Sequence, residues 1–388
     1  MTTKPQEIIL TSEEVDRVAI TLEEATRSTE EGTKRFVEPA HGTLRRALSR
    51  RHHLVFGRRG SGKSSLLRKA VAELTVDRRP IAYIDLESFK DHSYPDVLLS
   101  ILIESFKRFE DWLKTAAINP ANKVSFWIRF FGAKPSRPAF DKKAARALAQ
   151  RLEDQLKELK SQLYLTDAAD IRKKTATSTE ARVGSEMQGG LEAAGVGSAA
   201  VGATSSRLRA ESGENEEAFK RSKIDFLHRH IIDYQDIFRD LSQFSSGDAY
   251  LFLDDLYHIK KNHQPKLIDY FHRVAKGNHL WLKIGTIRQR TEWYRHGDPP
   301  EGMKLGDDAD DIDLDLTLEK YPLTKSFLKK ILDGFLSEAK LRASDLLTEG
   351  SIDRLVLASG GVARDFLTIF RKAIDVAKAR GNDHRGPK

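Results

Sequence analysis

Four apolar runs in this chain have the length and character of buried strands: His53–Phe56, Ile81–Leu86, Ala249–Asp255 and Leu280–Ile287. A fifth segment alternates instead. Ile312, Leu314, Leu316 and Leu318 are interleaved with Asp311, Asp313, Asp315 and Thr317, the period-2 pattern of a strand with one buried face. Elsewhere apolar positions recur every three or four residues, which predicts helices over Ser12–Thr29, from Leu66 onward, over about Pro95–Leu113 and through Thr324–Lys378. Residues 141–163 form a charged helical stretch with Leu148, Leu152, Leu156, Leu159 and Leu163 on one side. Strands separated by helices predict an α/β fold whose parallel sheet is covered on both faces.

The first strand runs into Gly57-Arg58-Arg59-Gly60-Ser61-Gly62-Lys63-Ser64-Ser65, a full G-x-x-x-x-G-K-[ST] match between a strand and a helix. Glycines let the backbone wrap a phosphate, and successive N–H groups with the helix N-terminus supply positive potential. Lys63 then reaches the β- and γ-phosphates and Ser64 ligates Mg²⁺. The third strand ends in Asp254-Asp255, where Asp254 suits a metal held through water and Asp255 an attacking water. Asp255 is shorter than the glutamate common at that place, so binding is better supported than fast hydrolysis.

Thr286 ends the fourth strand, on the edge of the sheet that faces the nucleotide. Its hydroxyl is a candidate contact for the γ-phosphate or the attacking water. Arg288, Arg290 and Arg295 follow, candidates for a transition-state cation acting across a subunit boundary or for a solvated basic face. Arg364 lies in the first turn of the last helix, after Gly360-Gly361. A cation there opposes the helix dipole, so a nucleotide phosphate or a local carboxylate must answer it.

The chain has 388 residues, 65 Lys and Arg against 57 Asp and Glu, a net charge of +8 and no Cys. Disulfide frameworks, thiolate metal sites and cysteine nucleophiles are excluded. The N-terminus has no signal-peptide character and no run is long enough to span a bilayer, so a cytoplasmic protein without integral membrane association is expected. The aromatic run Phe126–Phe131 reads as part of the core or a protein contact, or as a segment lying at a membrane interface. A basic group (Arg45, Arg46, Arg50, Arg51, Arg58, Arg59) and an acidic one (Asp307, Asp308, Asp310, Asp311, Asp313, Asp315) read as solvated faces or as pairing between neighbouring subunits.

The segments FGRRGSGKSS at 56–65, YLFLDD at 250–255, KIGT at 283–286 and SGGVARDFL at 359–367 resemble the AAA+ and STAND branches of P-loop ATPases, particularly initiator-like proteins of the origin-recognition type. The resemblance covers residues 30–115 and 246–378. It implies a five-stranded parallel sheet with a C-terminal helical lid, and Walker A and Walker B roles for the first two motifs. Thr286 resembles a sensor-1 position and Arg364 a sensor-2 arginine. Phe36 and Val37 resemble the segment lining the adenine pocket.

The expected nucleotide-binding core is therefore 31–116 with 246–320. It is preceded by a polar extension at 1–30 and followed by a lid at 321–378 and a tail at 379–388. Residues 117–245 are an insertion, in which the Gly/Ala-rich stretch 183–206 reads either as a linker or as a hairpin touching DNA or a partner. The implied cofactors are ATP and Mg²⁺, bound through Phe36, Val37, Gly57, Arg59, Gly60, Ser61, Gly62, Lys63, Ser64 and Ser65. The implied activity is that of an Mg²⁺-dependent ATPase switch that forms a homo-oligomer. It would control DNA, or an effector acting on nucleic acid, through 117–228, as in anti-phage or mobile-element systems. A nucleotide-dependent scaffold with little turnover is the alternative.

Overall fold

The computed structural model describes residues 10–24, 35–76, 78–118, 141–165, 219–244 and 247–380. The Gly/Ala-rich stretch 183–206 and the aromatic run 126–131 lie outside them, as do most of the tail and residues 1–9 and 25–34 of the N-terminal region. The chain divides into two compact units. One comprises residues 1–90 and 241–388, the other essentially residues 91–240.

In the first unit, α1 (Glu13–Glu24) and α2 (Thr43–Leu48) precede β1 (His53–Phe56), α3 (Lys63–Val76) and β2 (Ile81–Asp85). In the second lie α4 (Asp96–Ile118), α5 (Lys142–Leu163) and α6 (Ile231–Gln243) as far as Asp240. The chain then adds β3 (Ala249–Asp254), α7 (Gln264–Ala275), β4 (Leu280–Thr286), a short hairpin of β5 (Tyr294–Arg295) with β6 (Glu301–Gly302), and β7 (Asp310–Asp313). Four helices end it: α8 (Tyr321–Glu338), α9 (Ala343–Leu346), α10 (Glu349–Ala358) and α11 (Ala363–Ala379).

The five-stranded sheet has the order β2-β3-β4-β1-β7 and every pairing is parallel. β1 and β3 are buried along their whole length, as continuous apolar strands covered on two faces must be. On one face, Val55, Tyr250 and Phe252 pack against Leu66, Leu67 and Ala70 of α3. A lysine stands inside the sheet: Lys283 has no exposed surface, burial lowers its pKa well below the usual lysine value, and its Nζ donates to the carbonyls of Ser49 and Arg51 at 2.7 and 2.8 Å. Those bonds satisfy the buried amine and tie β4 to the turn before β1.

The alternating segment is a shorter strand than its sequence predicts. β7 stops at Asp313, the residue paired with Phe56, where β1 itself ends. Ile312 and Leu314 are buried, but Leu318 is 37% exposed. Alternation continues past the point where a neighbouring strand can pair with it. The N-terminal helix packs on the C-terminal helices. Val15, Val18 and Leu22 of α1 share one core with Phe327 and Phe335 of α8 and with Phe366 and Phe370 of α11. Arg371–Glu23 (3.0 Å) and Lys378–Asp16 ion pairs fasten the same contact.

The second unit is helical. Its compact boundary falls at Asp91, so α4 groups with α5 rather than with residues 31–90. Leu148, Leu152, Leu156 and Leu159 of α5 are buried, and Phe106 of α4 meets Tyr234 and Phe238 of α6 edge-on at 5.2 and 5.7 Å. Lys223, 2% exposed, donates to Asp96 Oδ1 at 2.8 Å and to the Leu163 carbonyl at 3.0 Å, joining the start of α4 to the end of α5. Among the described residues, no helix is long and apolar enough to cross a membrane.

Candidate functional site

β1 ends at Phe56, and the chain turns through Gly57–Gly62 before α3 begins at Lys63. Two glycines make that turn. Gly60 has φ +85° and Gly62 φ +97°, a region closed to most side chains. Gly57 is needed for space instead, since a Cβ there would collide with Ser61 Oγ. The Leu66 amide donates to the Gly62 carbonyl at 2.9 Å and closes the first turn of α3. The N–H groups ahead of it are those a helix leaves without intrahelical partners. Ser61 Oγ is buried and has no hydrogen-bond partner among the described residues.

Lys63, 5% exposed, donates from Nζ to the carbonyls of Gly57 (3.0 Å) and Arg58 (3.1 Å). Burial lowers its pKa, opposed by the charges of Asp255 and Asp254. Arg58 is absorbed by structure: its amide and Nε donate to Asp315 Oδ1, and its Nη2 to the carbonyls of Leu316 and Gly360.

The parallel order brings the end of β3 beside this loop. Asp254 is 2% exposed; its Oδ1 accepts from the Asp255 amide at 2.9 Å and its Oδ2 from the Tyr83 hydroxyl at 2.6 Å. Asp255 adopts a left-handed backbone, φ +57°, which Asp tolerates better than most residues. Burial, and then the Asp254 charge, push its carboxyl up to about 6.

A cavity of about 740 Å³ joins these groups. Arg59, Gly60, Ser61, Gly62, Lys63, Ser64 and Ser65 border it, with Asp254 and Asp255. Phe36 and Val37 border it too, at an apolar end completed by Leu22, Phe327 and Phe335. Arg364 lines it from the first turn of α11, its amide 3.3 Å from the Gly60 carbonyl. A Cβ on Gly60 would lie 2.7 Å from the Arg364 Cβ, so the loop and α11 touch directly. Arg364 makes no ion pair among the described residues, so no described carboxylate answers its charge.

Three sequence candidates are placed elsewhere. Thr286 is fully buried, and its hydroxyl is 2.5 Å from that of Thr291, which donates on to the Ile287 carbonyl. It does not border the cavity. Arg288 bonds Asp311 and Asp313 of its own chain at 2.7 and 3.3 Å and lies 4.0 Å over the Phe56 ring. Arg295 is paired with Glu292 and Glu301. Only Arg290 of the three stands near the cavity, 6.0 Å from the ring of its lining residue Tyr257.

The basic and acidic runs largely answer each other within one chain. Arg51 pairs with Asp310, Arg58 with Asp315, and Arg46 donates to the Asp311 carbonyl. Sequence reasoning missed Tyr83, Arg68 and Tyr257. Tyr83 was discoverable from its i, i+2 relation to Asp85 on a strand that ends at the cavity, Arg68 from its place one turn beyond Ser64. No protein-family model and no curated protein matches this sequence.

Proposed function

We propose that this chain binds ATP with Mg²⁺ in the cavity at the carboxyl end of β1 and works as a P-loop ATPase switch of the AAA+/STAND type. The observation that carries the proposal is the convergence of loop residues Arg59–Ser65, with the buried Lys63 among them, and the Asp254 carboxylate on one cavity, which Gly57 itself does not border. The residues fit the ligand: a Cβ at Gly57 would collide with Ser61 Oγ and one at Gly60 with the Arg364 Cβ, so the path of the loop depends on glycine, and the loop holds a buried serine hydroxyl without a partner among the described residues. Bound Mg²⁺ neutralises charge on the phosphate oxygens.

The chain's own groups do the rest. Lys63 exchanges two loop carbonyls for phosphate oxygens, and the free amides at the start of α3 donate to the same phosphates. Ser64 and Asp254 hold the metal. Asp255, ionised above about pH 6, orients a water and accepts its proton. Arg364 brings a cation from α11, which would make α8–α11 the lid. Phe36 and Val37 take the base.

A second reading, a nucleotide-dependent scaffold with little turnover, is favoured by two observations. The acid beside Asp254 is an aspartate on a left-handed backbone, and the Thr286 hydroxyl is turned away to Thr291. Homo-oligomerisation and the control of DNA or a nucleic-acid-acting effector through 117–228 belong to the proposal on the strength of the AAA+ resemblance alone.

The test is equilibrium ATP binding and steady-state hydrolysis by wild type and Lys63→Ala, with and without double- and single-stranded DNA. Turnover stimulated by DNA and lost in Lys63→Ala supports a nucleic-acid-coupled switch. Tight binding without turnover in any condition supports the scaffold. Equal binding by wild type and Lys63→Ala refutes both.

A further inference from the structure

We infer that Tyr83 is a positioning residue that aims the Asp254 carboxylate at a divalent cation, with Arg68 clamping its ring. The inference rests on the nucleotide reading above and adds two residues to the metal side of the site.

Asp254 is boxed in by elements from three directions. On the β4 side stands Gly285, where a Cβ would collide with Asp254 Oδ1 and lie 2.9 Å from Leu67 Cδ1. Below it, the Asp255 amide donates to Oδ1 at 2.9 Å. On the β2 side, Tyr83 donates to Oδ2 at 2.6 Å. Each carboxylate oxygen thus spends one acceptor site on protein and keeps another for a cation or its water.

The tyrosine is itself held. The Arg68 guanidinium lies 4.7 Å over its ring, and the Arg68 Nε is buried without a hydrogen-bond partner among the described residues. A guanidinium stacked on an aromatic face is a recognised attraction, and here it joins α3 to β2. α3 also carries Ser64, so the contact fixes the serine's helix relative to the strand pair that presents the carboxylate. Arg68 and Tyr83 both border the cavity. Partners of this kind, one step behind a metal ligand, set its orientation and typically account for about 10–100-fold in metal affinity.

The experiment uses the full chain. Binding of a fluorescent ATP analogue is titrated with Mg²⁺ for wild type, Tyr83→Phe, Arg68→Ala and the double variant, and repeated in EDTA. Mn²⁺ replaces Mg²⁺ for a parallel spin-resonance titration, and thermal melting checks folding. We expect Tyr83→Phe to raise the Mg²⁺ and Mn²⁺ half-saturation about 10–100-fold while binding in EDTA stays as in wild type. Arg68→Ala should shift the same way by less, and the double variant should match Tyr83→Phe alone. A folded Tyr83→Phe with the wild-type metal requirement, in a protein whose binding is lost in Lys63→Ala, overturns this inference and leaves the nucleotide reading standing. If Tyr83→Phe does not fold, an unchanged metal requirement in Arg68→Ala overturns it. A wild type that binds no nucleotide overturns both.

Discussion

Replacing Asp255 with Asn removes a half-buried negative charge while preserving shape. Burial, and then Asp254, raise the Asp255 carboxyl from 3.8 to about 6 in spite of the nearby Lys63. At about 1.4 kcal/mol per pKa unit, such a rise corresponds to about 3 kcal/mol of destabilisation once the group is ionised. Asp255 borders an open cavity, where water screens charges, so about 1–2 kcal/mol is the working value.

The sign follows from proton uptake. An acid with a raised native pKa binds its proton in the folded state first, so the wild type bears the deficit above about pH 6 and sheds it as pH falls towards 3.8. Asp255→Asn is neutral throughout. It should therefore melt a few degrees above wild type at about pH 8, with the gap closing by about pH 4. Asn also tolerates the left-handed backbone, which adds an offset that does not vary with pH. Calorimetric melts of both proteins across that range, following the transition of the sheet-bearing unit, measure the difference. A gap that is constant with pH, or a variant less stable than wild type at high pH, refutes the reasoning.

Other substitutions test other contacts. Arg288→Ala loses an ion-paired guanidinium stacked on Phe56 and should lower stability by about 1–2 kcal/mol. Any hydrolysis should keep the specific rate of the wild type, because Arg288 is engaged within its own chain. Gly60→Ala forces a side chain onto φ +85° and against Arg364; a loss of about 1–3 kcal/mol by denaturant titration and at least a tenfold weaker ATP affinity are expected. Leu22→Ala empties a position only 2% exposed in the core shared by α1 and α8–α11. It should cost about 2–5 kcal/mol, or speed amide exchange across Glu13–Glu24 while the sheet stays protected.

Features whose cause is local were legible in the sequence. β1 and β3 are written as continuous apolar runs and β4 as one interrupted by Lys283, and the glycine loop between β1 and α3 is a motif that carries its own geometry. Features set by pairing between distant segments were not. β7 breaks off because β1 ends opposite Asp313, a fact about a neighbour far away along the chain. Tyr83 meets Asp254 only through the register of β2 on β3. Arg288 has the residue type of a trans-acting cation, and only the fold reveals Asp311, Asp313 and the Phe56 ring around it. The docking of α1 hides for the same reason, since an amphipathic helix advertises an apolar face without naming what covers it.

The internal pairing of the arginine-rich and aspartate-rich runs bears on how this protein could meet a polyanion. Affinity for a nucleic acid backbone comes largely from released counterions, one for each phosphate a protein cation displaces. Arg51, Arg58 and Arg288 are engaged with Asp310, Asp315 and Asp311 before any such encounter. To meet phosphates, each would have to abandon a carboxylate, an exchange that releases no net counterion charge. The dependence of any DNA affinity on salt concentration would accordingly count cations in other parts of the chain, and a steep dependence would direct attention away from the β7 edge of the sheet.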